Sequence, residues 1–209
     1  MASIALIGPD GAGKTTLARR LEESGLLPFK YLYMGVAVPP GGLALPTTRR
    51  ASELRRFKTS RGPLWPLLRL TNRLAEAWFR QAISWYHQLR GQVVLYDRHF
   101  VLDFAPEITG PAATFDRVVH QWFLTYLFPR PGLVILLDVP GELLYARKGE
   151  STVAELERRR QAFLAMGSRF NRFVRVDASR PIADVYADVA DQILRVFGEP
   201  GRSYQRDFA

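Results

Sequence analysis

Residues 4–24 read IALIGPDGAGKTTLARRLEES, an apolar run, a glycine-rich turn and an amphipathic stretch in direct succession. The turn from Gly8 to Thr16 fits the pattern G-x-x-x-x-G-K-[ST], with a predicted strand before it and a predicted helix after it. Glycines let backbone N–H groups turn inward around phosphate oxygens, and the helix N-terminus adds partial positive charge. The pattern therefore predicts a phosphate-binding loop for ATP, in which Lys14 reaches the β- and γ-phosphates and the Thr15 hydroxyl coordinates Mg²⁺. The predicted phosphate contacts are Gly8, Asp10, Gly11, Ala12, Gly13, Lys14, Thr15 and Thr16.

The alternation of apolar runs and amphipathic stretches continues to residue 197. Strands are predicted at 4–7, 30–34, 92–96, 133–137 and 173–176, and helices at 14–24, 63–90, 115–128, 141–146, 153–166 and 182–197. This pattern is typical of an α/β protein with a mainly parallel sheet. We expect residues 1–198 to form a single domain with a short basic lid at about 147–160, followed by a C-terminal tail at 199–209.

Composition excludes several classes of protein. Of the 209 residues, 47% are hydrophobic and 23% charged, which rules out a disordered or fibrous chain. The absence of cysteine excludes disulfides and thiol chemistry, and the three histidines have no metal-ligand spacing. No apolar run approaches the roughly 20 residues of a membrane span, and the N-terminus does not resemble a signal peptide. A cytoplasmic location is expected.

The net charge of +9 is concentrated in one segment. Residues 49–90 hold ten basic and two acidic residues, a net +8, while the remainder of the chain is close to neutral. Such a segment predicts contact with an anion, which could be a small acceptor substrate, a membrane surface or a nucleic acid. Nucleic acid is not expected, because no recognition module accompanies the charge.

A helix over 63–90 would bring five apolar side chains onto one stripe. They are Leu67, Leu74, Trp78, Trp85 and Leu89. We expect this stripe to lie in the core or in a homodimer interface; contact with a membrane surface is the less favoured alternative, suggested by tryptophans beside basic residues. Arg69, Arg73 and Arg80 fall off the stripe, so Arg73 or Arg80 can face the cleft and clamp the phosphate of an acceptor.

A second motif, Asp97-Arg98-His99, ends the third predicted strand. The carboxyl ends of strands are where open α/β sheets bind ligands. Asp97 can hold the Mg²⁺ shell or take the acceptor's proton, and Arg98 can neutralise the transferred phosphoryl group. The alternative is a surface Asp–Arg pair. A GTPase is not favoured because no N-K-x-D motif exists, and a motor ATPase is usually larger, which leaves a small-molecule kinase.

These motifs resemble the thymidylate kinase family of P-loop nucleoside monophosphate kinases. The family patterns G-x-[DE]-G-x-G-K-T-T and D-R-[YH] are matched, and D-x-x-P-E-x-x-x-x-R is similar to the stretch from Asp138 to Arg147. The resemblance implies a P-loop kinase fold with about five parallel strands. It also implies Mg-ATP as donor, a nucleoside monophosphate such as dTMP as acceptor, and a dimer.

The resemblance also implies residue roles. Asp10 would contact the acceptor's sugar, and Gly11 is typical of members that supply a catalytic arginine from the lid. The implied catalytic residues are Lys14, Asp97, Arg98, Arg147 and Lys148, the lid residues Arg147, Lys148 and Arg158, and the metal ligands Thr15 and Asp97. The acceptor-binding candidates are Asp10, Arg73, Arg80, Asp97, Arg98 and Asp103. For Arg159 and Arg160 a solvated helix face is at least as good an interpretation.

The acceptor half departs from the family. Its substrate loop R-E-P-G-G-T survives only as Pro40-Gly41-Gly42, and the S-x-x-A-Y-Q that follows D-R-[YH] is replaced by residues 100–105, FVLDFA. The match therefore covers the donor half and the transfer machinery. Two alternatives stay open: a kinase of the same fold acting on a nucleoside, sugar or lipid-linked alcohol, and a P-loop nucleotide switch that is not a kinase.

Overall fold

Five parallel strands form one sheet in the structure, a computed structural model that describes residues 2–35, 65–99, 114–149 and 151–198. The strands are β1 (Ser3–Ile7), β2 (Phe29–Tyr33), β3 (Val93–Asp97), β4 (Leu133–Asp138) and β5 (Phe173–Asp177). Their order across the sheet is β2-β3-β1-β4-β5, and every neighbouring pair is parallel. All five predicted strands are confirmed, with each end displaced by no more than one residue.

Within the described residues, six helices connect and cover these strands. They are α1 (Lys14–Glu23), α2 (Trp65–Leu89), α3 (Phe115–Tyr126), α4 (Gly141–Lys148), α5 (Val153–Ala165) and α6 (Ile182–Phe197). The predicted helices are confirmed to within two residues, and a 3₁₀ turn, Met166–Arg169, follows α5. The α/β fold class is that of a P-loop kinase.

The core has two layers, one on each face of the sheet. Helices α1 and α6 pack on one face, where Leu17 and Val189 contact Leu6 and Ile135 in the same cluster. Helices α2 and α3 cover the opposite face, which has its own cluster of buried side chains. Because β1, β3 and β4 are buried on both faces, their sequences are continuous apolar runs rather than alternating ones.

The strand order brings the two motifs together. Strand β1 lies between β3 and β4, so the loop after Ile7 stands beside the carboxyl ends of both neighbours. In the register of β1 and β3, Leu6 is paired with Asp97. The direction of the chain connections reverses at β1, and such a switch point is where open parallel sheets bind ligands.

Helix α2 exposes the two ends of its apolar stripe, while Leu74 and Trp85 in the middle are partly buried. Leu67 and Leu89 are 57% and 89% exposed, and Trp78 is also exposed. The face toward the sheet carries Leu70, Glu76, Ala77, Arg80, Gln81 and Ser84, all buried. Polar residues can line this face because they find partners there, which helical periodicity alone does not detect. The ends of the stripe are therefore not core, whereas Trp78 in its middle packs against Phe123 and Phe128. A dimer interface on the exposed part of the stripe stays a prediction.

Within the described ranges, none of the helices combines the length and the apolar composition that crossing a membrane would require.

Two histidines are buried on the α2–α3 face of the sheet. His99 packs beside the rings of Tyr96 and Phe128, and His120 is buried on α3. Burial lowers the pKa of His99 to about 3. Burial, and next the charge of Arg73, lowers the pKa of His120 to about 4. Both imidazoles are therefore neutral in the folded protein at neutral pH.

This burial predicts acid sensitivity. Above about pH 6.5 both imidazoles are neutral in the folded and the unfolded chain, so they contribute no pH dependence. As the pH falls from about 6.5 toward 4, only the unfolded chain takes up these protons, and the free energy of unfolding should fall by roughly 2 kcal/mol per histidine. Urea unfolding across this range measures the slope. His120→Asn should flatten it, because it removes one of the two buried imidazoles; an unaltered slope in this variant would contradict the prediction.

Candidate active site

The loop after β1 depends on glycine at three positions. Gly8, Gly11 and Gly13 have φ angles of 143°, 93° and 86°, a region that other residues rarely adopt. A Cβ atom on Gly8 would lie 2.6 Å from the backbone oxygen of Leu137, so a side chain there would collide with β4. The fixed glycines of the motif therefore have a steric reason in this fold.

Lys14 folds back over this loop. Its Nζ donates hydrogen bonds to the carbonyl oxygens of Gly8 and Pro9, both at 2.8 Å, and lies 3.8 Å from Oδ1 of Asp10. The residue is only 7% exposed. Helix α1 begins at Lys14 with no side-chain cap from Gly13 and no acidic residue in its first turn. No capping side chain therefore accepts hydrogen bonds from the N–H groups of that turn, and they can bind an anion.

Asp97 joins the loop to β3. The Thr15 hydroxyl donates a hydrogen bond to Oδ2 of Asp97 at 2.6 Å, and the Tyr31 hydroxyl donates to the same oxygen at 2.9 Å. Asp97 is buried at the end of its strand. Burial, and next the charge of Asp97, raise the pKa of Tyr31 above its usual range, so the phenol stays protonated and remains a donor.

Arg98 makes a second link between the two motifs. Its guanidinium forms a short ion pair with Oδ1 of Asp10, and both side chains are partly open to solvent. Arg98 has a φ of 67°, a left-handed conformation that costs a residue with a side chain about 1–2 kcal/mol. Its aliphatic part lies so close to Gly35 that a Cβ there would stand 2.8 Å from Cδ of Arg98. The guanidinium is thereby directed over the phosphate loop.

The oxygen donors at this point fit Mg²⁺. Because the Thr15 hydroxyl donates a hydrogen bond to Asp97, the lone pairs of its oxygen stay available to a cation. Mg²⁺ binds oxygen ligands, usually one or two from the protein together with water and phosphate. In keeping with this, no group of three or more His, Cys, Asp or Glu side chains in the described residues could hold a metal ion by itself.

Arg80 is buried inside the protein rather than exposed in the cleft. It is 1% exposed and pairs with Oε1 of Glu76 through Nε at 2.7 Å and Nη2 at 2.6 Å. Its Nη1 donates to the carbonyl oxygen of Gly35 at 2.7 Å. Arg80 thus fastens α2 to the chain that leaves the carboxyl end of β2.

Arg73 lies in an ionic cluster between α2 and α3. Asp116 of α3 accepts a hydrogen bond from Arg69 at 2.5 Å and lies 3.8 Å from Nη1 of Arg73. The hydrogen bond from Thr114 contributes most to a lowered pKa of Asp116, and Arg69 and Arg73 add to it against opposing burial. Both helices run antiparallel to the strands that follow them, so their N-terminal turns stand on the carboxyl side of the sheet, the side of Asp97.

The arginines of the predicted lid have different environments. Arg147 donates to the carbonyl oxygen of Ala178 at 3.4 and 3.5 Å. Arg158 and Arg159 are exposed and pair with Glu155, which lowers the pKa of that carboxyl group to about 2. The side chain of Lys148 and all of residue 150 lie outside the described part of the chain.

Arg160 is not on a solvated face, in contrast to one of the interpretations of the sequence. Its guanidinium contacts Asp138 at 2.6 and 3.0 Å, and Arg175 of β5 contacts the same carboxylate at 2.7 Å. Burial alone would raise the pKa of Asp138, but the hydrogen bonds from both arginines outweigh it and lower the pKa. Arg160 therefore joins α5 to the carboxyl end of β4.

Other predicted acceptor residues lie outside the described residues. Asp103 is one of them, as are the Pro40-Gly41-Gly42 remnant, residues 100–105 and the tail at 199–209. Among the predicted site residues that are described, Asp10, Lys14, Thr15, Asp97 and Arg98 lie together in the structure.

Tyr31, Asp116 and Arg175 were not singled out from the sequence. Tyr31 is the most direct addition, because it contacts Asp97. The alternation of aromatic residues in β2 (FKYLY) is a signal that Tyr31 and Tyr33 share a face of the sheet. It does not reveal the strand register that brings this face to Asp97.

Comparisons with known proteins agree with these motifs. No family model matches the chain. It is 33% identical over 212 residues to a thymidylate kinase of Leifsonia xyli subsp. xyli, covering 89% of this chain and 91% of that protein. It is 31% identical over 200 residues to a thymidylate kinase of Pseudomonas fluorescens, with 87% and 90% covered. A probable thymidylate kinase of Metallosphaera sedula is 28% identical over 190 residues, with 86% and 85% covered.

The burial of Arg80 predicts a large effect on stability. Arg80→Met removes the cation that balances buried Glu76, and we expect a loss of roughly 3 kcal/mol in the free energy of unfolding. Arg159→Met is the matched control, because its ion pair with Glu155 is exposed and should be worth less than about 0.5 kcal/mol. Urea unfolding at neutral pH measures both. Equal and small losses in the two variants would show that the Arg80 pair is not a structural link.

Proposed function

The chain belongs to the thymidylate kinase family, and we propose that it phosphorylates thymidylate or a closely related nucleoside monophosphate through residues around Lys14 and Asp97. It is a P-loop phosphotransferase, an ATP-dependent nucleoside monophosphate kinase. The observation that supports these site residues most strongly is the 2.6 Å hydrogen bond from Thr15 to Asp97. It joins the loop suited to the donor phosphates to the strand end suited to the acceptor.

On the donor side, we assign the phosphates of ATP to the loop from Gly8 to Thr16. The N–H groups at the start of α1 would bind phosphate oxygens. Lys14 would exchange its contacts with the carbonyls of Gly8 and Pro9 for phosphate oxygens, since these are anionic and the carbonyls are not.

On the acceptor side, we assign the transferred group to the space between Asp10, Asp97 and Arg98. Arg98 would neutralise charge on the phosphoryl group, once the acceptor or the donor displaces its contact with Asp10. Asp10, released from this pair, can accept a hydrogen bond from the acceptor's sugar. Arg73, on the carboxyl side of the sheet, is the candidate clamp for the acceptor's own phosphate.

We assign Mg²⁺ to Thr15 and Asp97. When bound, Mg²⁺ would supply positive charge that reduces the negative charge opposing phosphoryl transfer. Thr15 would contribute its hydroxyl oxygen, while Asp97 accepts the hydrogen bond of that hydroxyl and keeps the oxygen oriented.

Residues 147–160 are the proposed lid. Arg147 lies at the carboxyl end of β5, beside Ala178. Arg158 pairs with an exposed carboxylate of its own helix, and such pairs are weak enough to exchange for a phosphate. Closure of a basic segment over the donor would exclude water and add positive charge only when substrate is bound.

An acceptor panel tests the proposed reaction. We expect thymidylate to accelerate ADP release from Mg-ATP more than other nucleoside monophosphates, nucleosides or sugars do. Lys14→Ala should lower kcat by about a hundredfold or more, because it removes a charge from the transferring phosphates. Lys30→Ala, which removes a lysine paired with Glu22 away from the loop, should stay within about twofold of the parent. If no acceptor accelerates ADP release above the Lys14→Ala level, the proposed function is wrong.

We also propose that the outer faces of α2 and α3 form a homodimer interface. Ten of the thirteen exposed large apolar residues in the described ranges lie on these helices or directly after α3. They are Leu67, Leu68, Trp78, Tyr86, Leu89, Phe115, Val118, Trp122, Tyr126 and Leu127. Such a concentration of exposed apolar side chains on two neighbouring helices is uncommon on a monomer and is typical of an interface between proteins.

A single charge on this surface should separate the protomers. Trp122→Glu places a carboxylate where Trp122 and Tyr126 are neighbours, 5.9 Å apart between ring centroids. We expect at least a tenfold increase in the dimer dissociation constant, because the interface would bury an uncompensated charge. Sedimentation velocity measures this, with Tyr145→Glu as the control, since Tyr145 is similarly exposed but lies on α4. A parent protein that sediments as a monomer at all concentrations would contradict the proposal.

A further inference from the structure

Tyr31 donates a hydrogen bond to the Asp97 carboxylate although it belongs to neither motif. It lies in the middle of β2, the edge strand beside β3, on the same face of the sheet as Asp97. Its hydroxyl is 2.9 Å from Oδ2 of Asp97. Its backbone N–H donates to Oε1 of Glu22 at 2.9 Å, and its ring packs against the core between the sheet and α1. Tyr31 is thus held in place by its backbone, its ring and its hydroxyl group.

The two hydroxyl donors meet the same carboxylate oxygen. Thr15 and Tyr31 both donate to Oδ2 of Asp97, and Oδ1 accepts no hydrogen bond within the described residues. The terminal torsion of an aspartate side chain is soft, so hydrogen bonds decide which oxygen faces which neighbour. Two donors on one oxygen use both of its lone pairs and leave the other oxygen available.

We propose that Tyr31 is a positioning residue for the cation site, which fixes the Asp97 carboxylate so that Oδ1 remains available to the hydration shell of a bound Mg²⁺. This inference rests on the metal role given to Thr15 and Asp97 in the proposed function. Tyr31 itself touches neither the cation nor the substrates. Without its hydroxyl, Thr15 is the single remaining donor to the carboxylate, which can then rotate and bring either oxygen to the cleft.

Calorimetric titration with ADP tests this without turnover. The affinity of the protein for ADP is measured with and without Mg²⁺, for the parent, Tyr31→Phe and Tyr186→Phe. Tyr186 is the matched control, because it is also partly buried against the same core cluster but lies on α6. Tyr31→Phe keeps the ring and its packing and removes only the hydroxyl. Thermal unfolding of each variant accompanies the titrations.

We expect Mg²⁺ to strengthen ADP binding by the parent and by Tyr186→Phe to the same extent. In Tyr31→Phe this gain should be smaller by about tenfold, which corresponds to one lost hydrogen bond to a charged group, while the affinity without Mg²⁺ is unchanged.

An equal gain in Tyr31→Phe and the parent would overturn the inference and leave the proposed function standing. A loss of ADP affinity that is the same with and without Mg²⁺, together with a lower Tm, would also overturn it, because Tyr31 would then be only a packing residue. If the parent itself shows no gain from Mg²⁺, the metal role of Thr15 and Asp97 is wrong, and the role of Tyr31 with it. Failure of the acceptor panel leaves these titrations unaffected, so the two failures are distinguishable.

Discussion

The hydrogen bond between Thr15 and Asp97 is the contact on which the site depends. It connects residues 82 positions apart in the chain, and it forms because β1 and β3 are neighbours with Leu6 opposite Asp97. The sheet order supplies this neighbourhood, and the buried apolar strands supply the sheet. Tyr31 reaches the same carboxylate from β2, so three adjacent strands contribute one residue or loop each. A change that shifts either register would separate the donor-binding loop from Asp97.

Much of this arrangement could be predicted from sequence, because it follows from local pattern. The strands, the helices and the glycine turn are each encoded within a short window, and the family resemblance assigned Lys14 and Asp97 their roles. The contacts that could not be predicted depend on the register between strands and on which face of a helix is buried. In the sequence Arg80 is recognisable only as a basic residue in a basic segment. Its partners in the structure are a glutamate one turn away and a carbonyl 45 positions earlier. Only the packing of α2 on the sheet identifies that carbonyl.

These contacts favour a small anionic ligand over a nucleic acid or a membrane as the partner of the basic segment at 49–90. In its described part, Arg69 and Arg73 form ion pairs with Asp116, and Arg80 forms an ion pair with Glu76. A surface that binds nucleic acid or lipid would present its cations outward. Arg80 points inward, and Arg69 and Arg73 are partly buried beside Asp116 on the carboxyl side of the sheet, where the acceptor is proposed to bind. Asp116 and Glu76 offset most of the charge of the three arginines and hold their guanidinium groups in fixed positions. Fixed positions are important for binding a small ligand, whereas a polyanion is attracted by charge density over a wide surface.

The same inversion gives the proposed interface on the outer face of α2 a physical reason. A helix that turns its charged side inward gains less from burial than an ordinary amphipathic helix does, because charged groups must be desolvated. It also leaves its apolar side in water, at about 25 cal/mol for each Å² that could be buried. The second of these costs falls if another surface covers Leu67, Trp78 and Leu89. The polarity of α2 is therefore consistent with a helix placed between an active site and an interface, where each face has a separate reason for its composition.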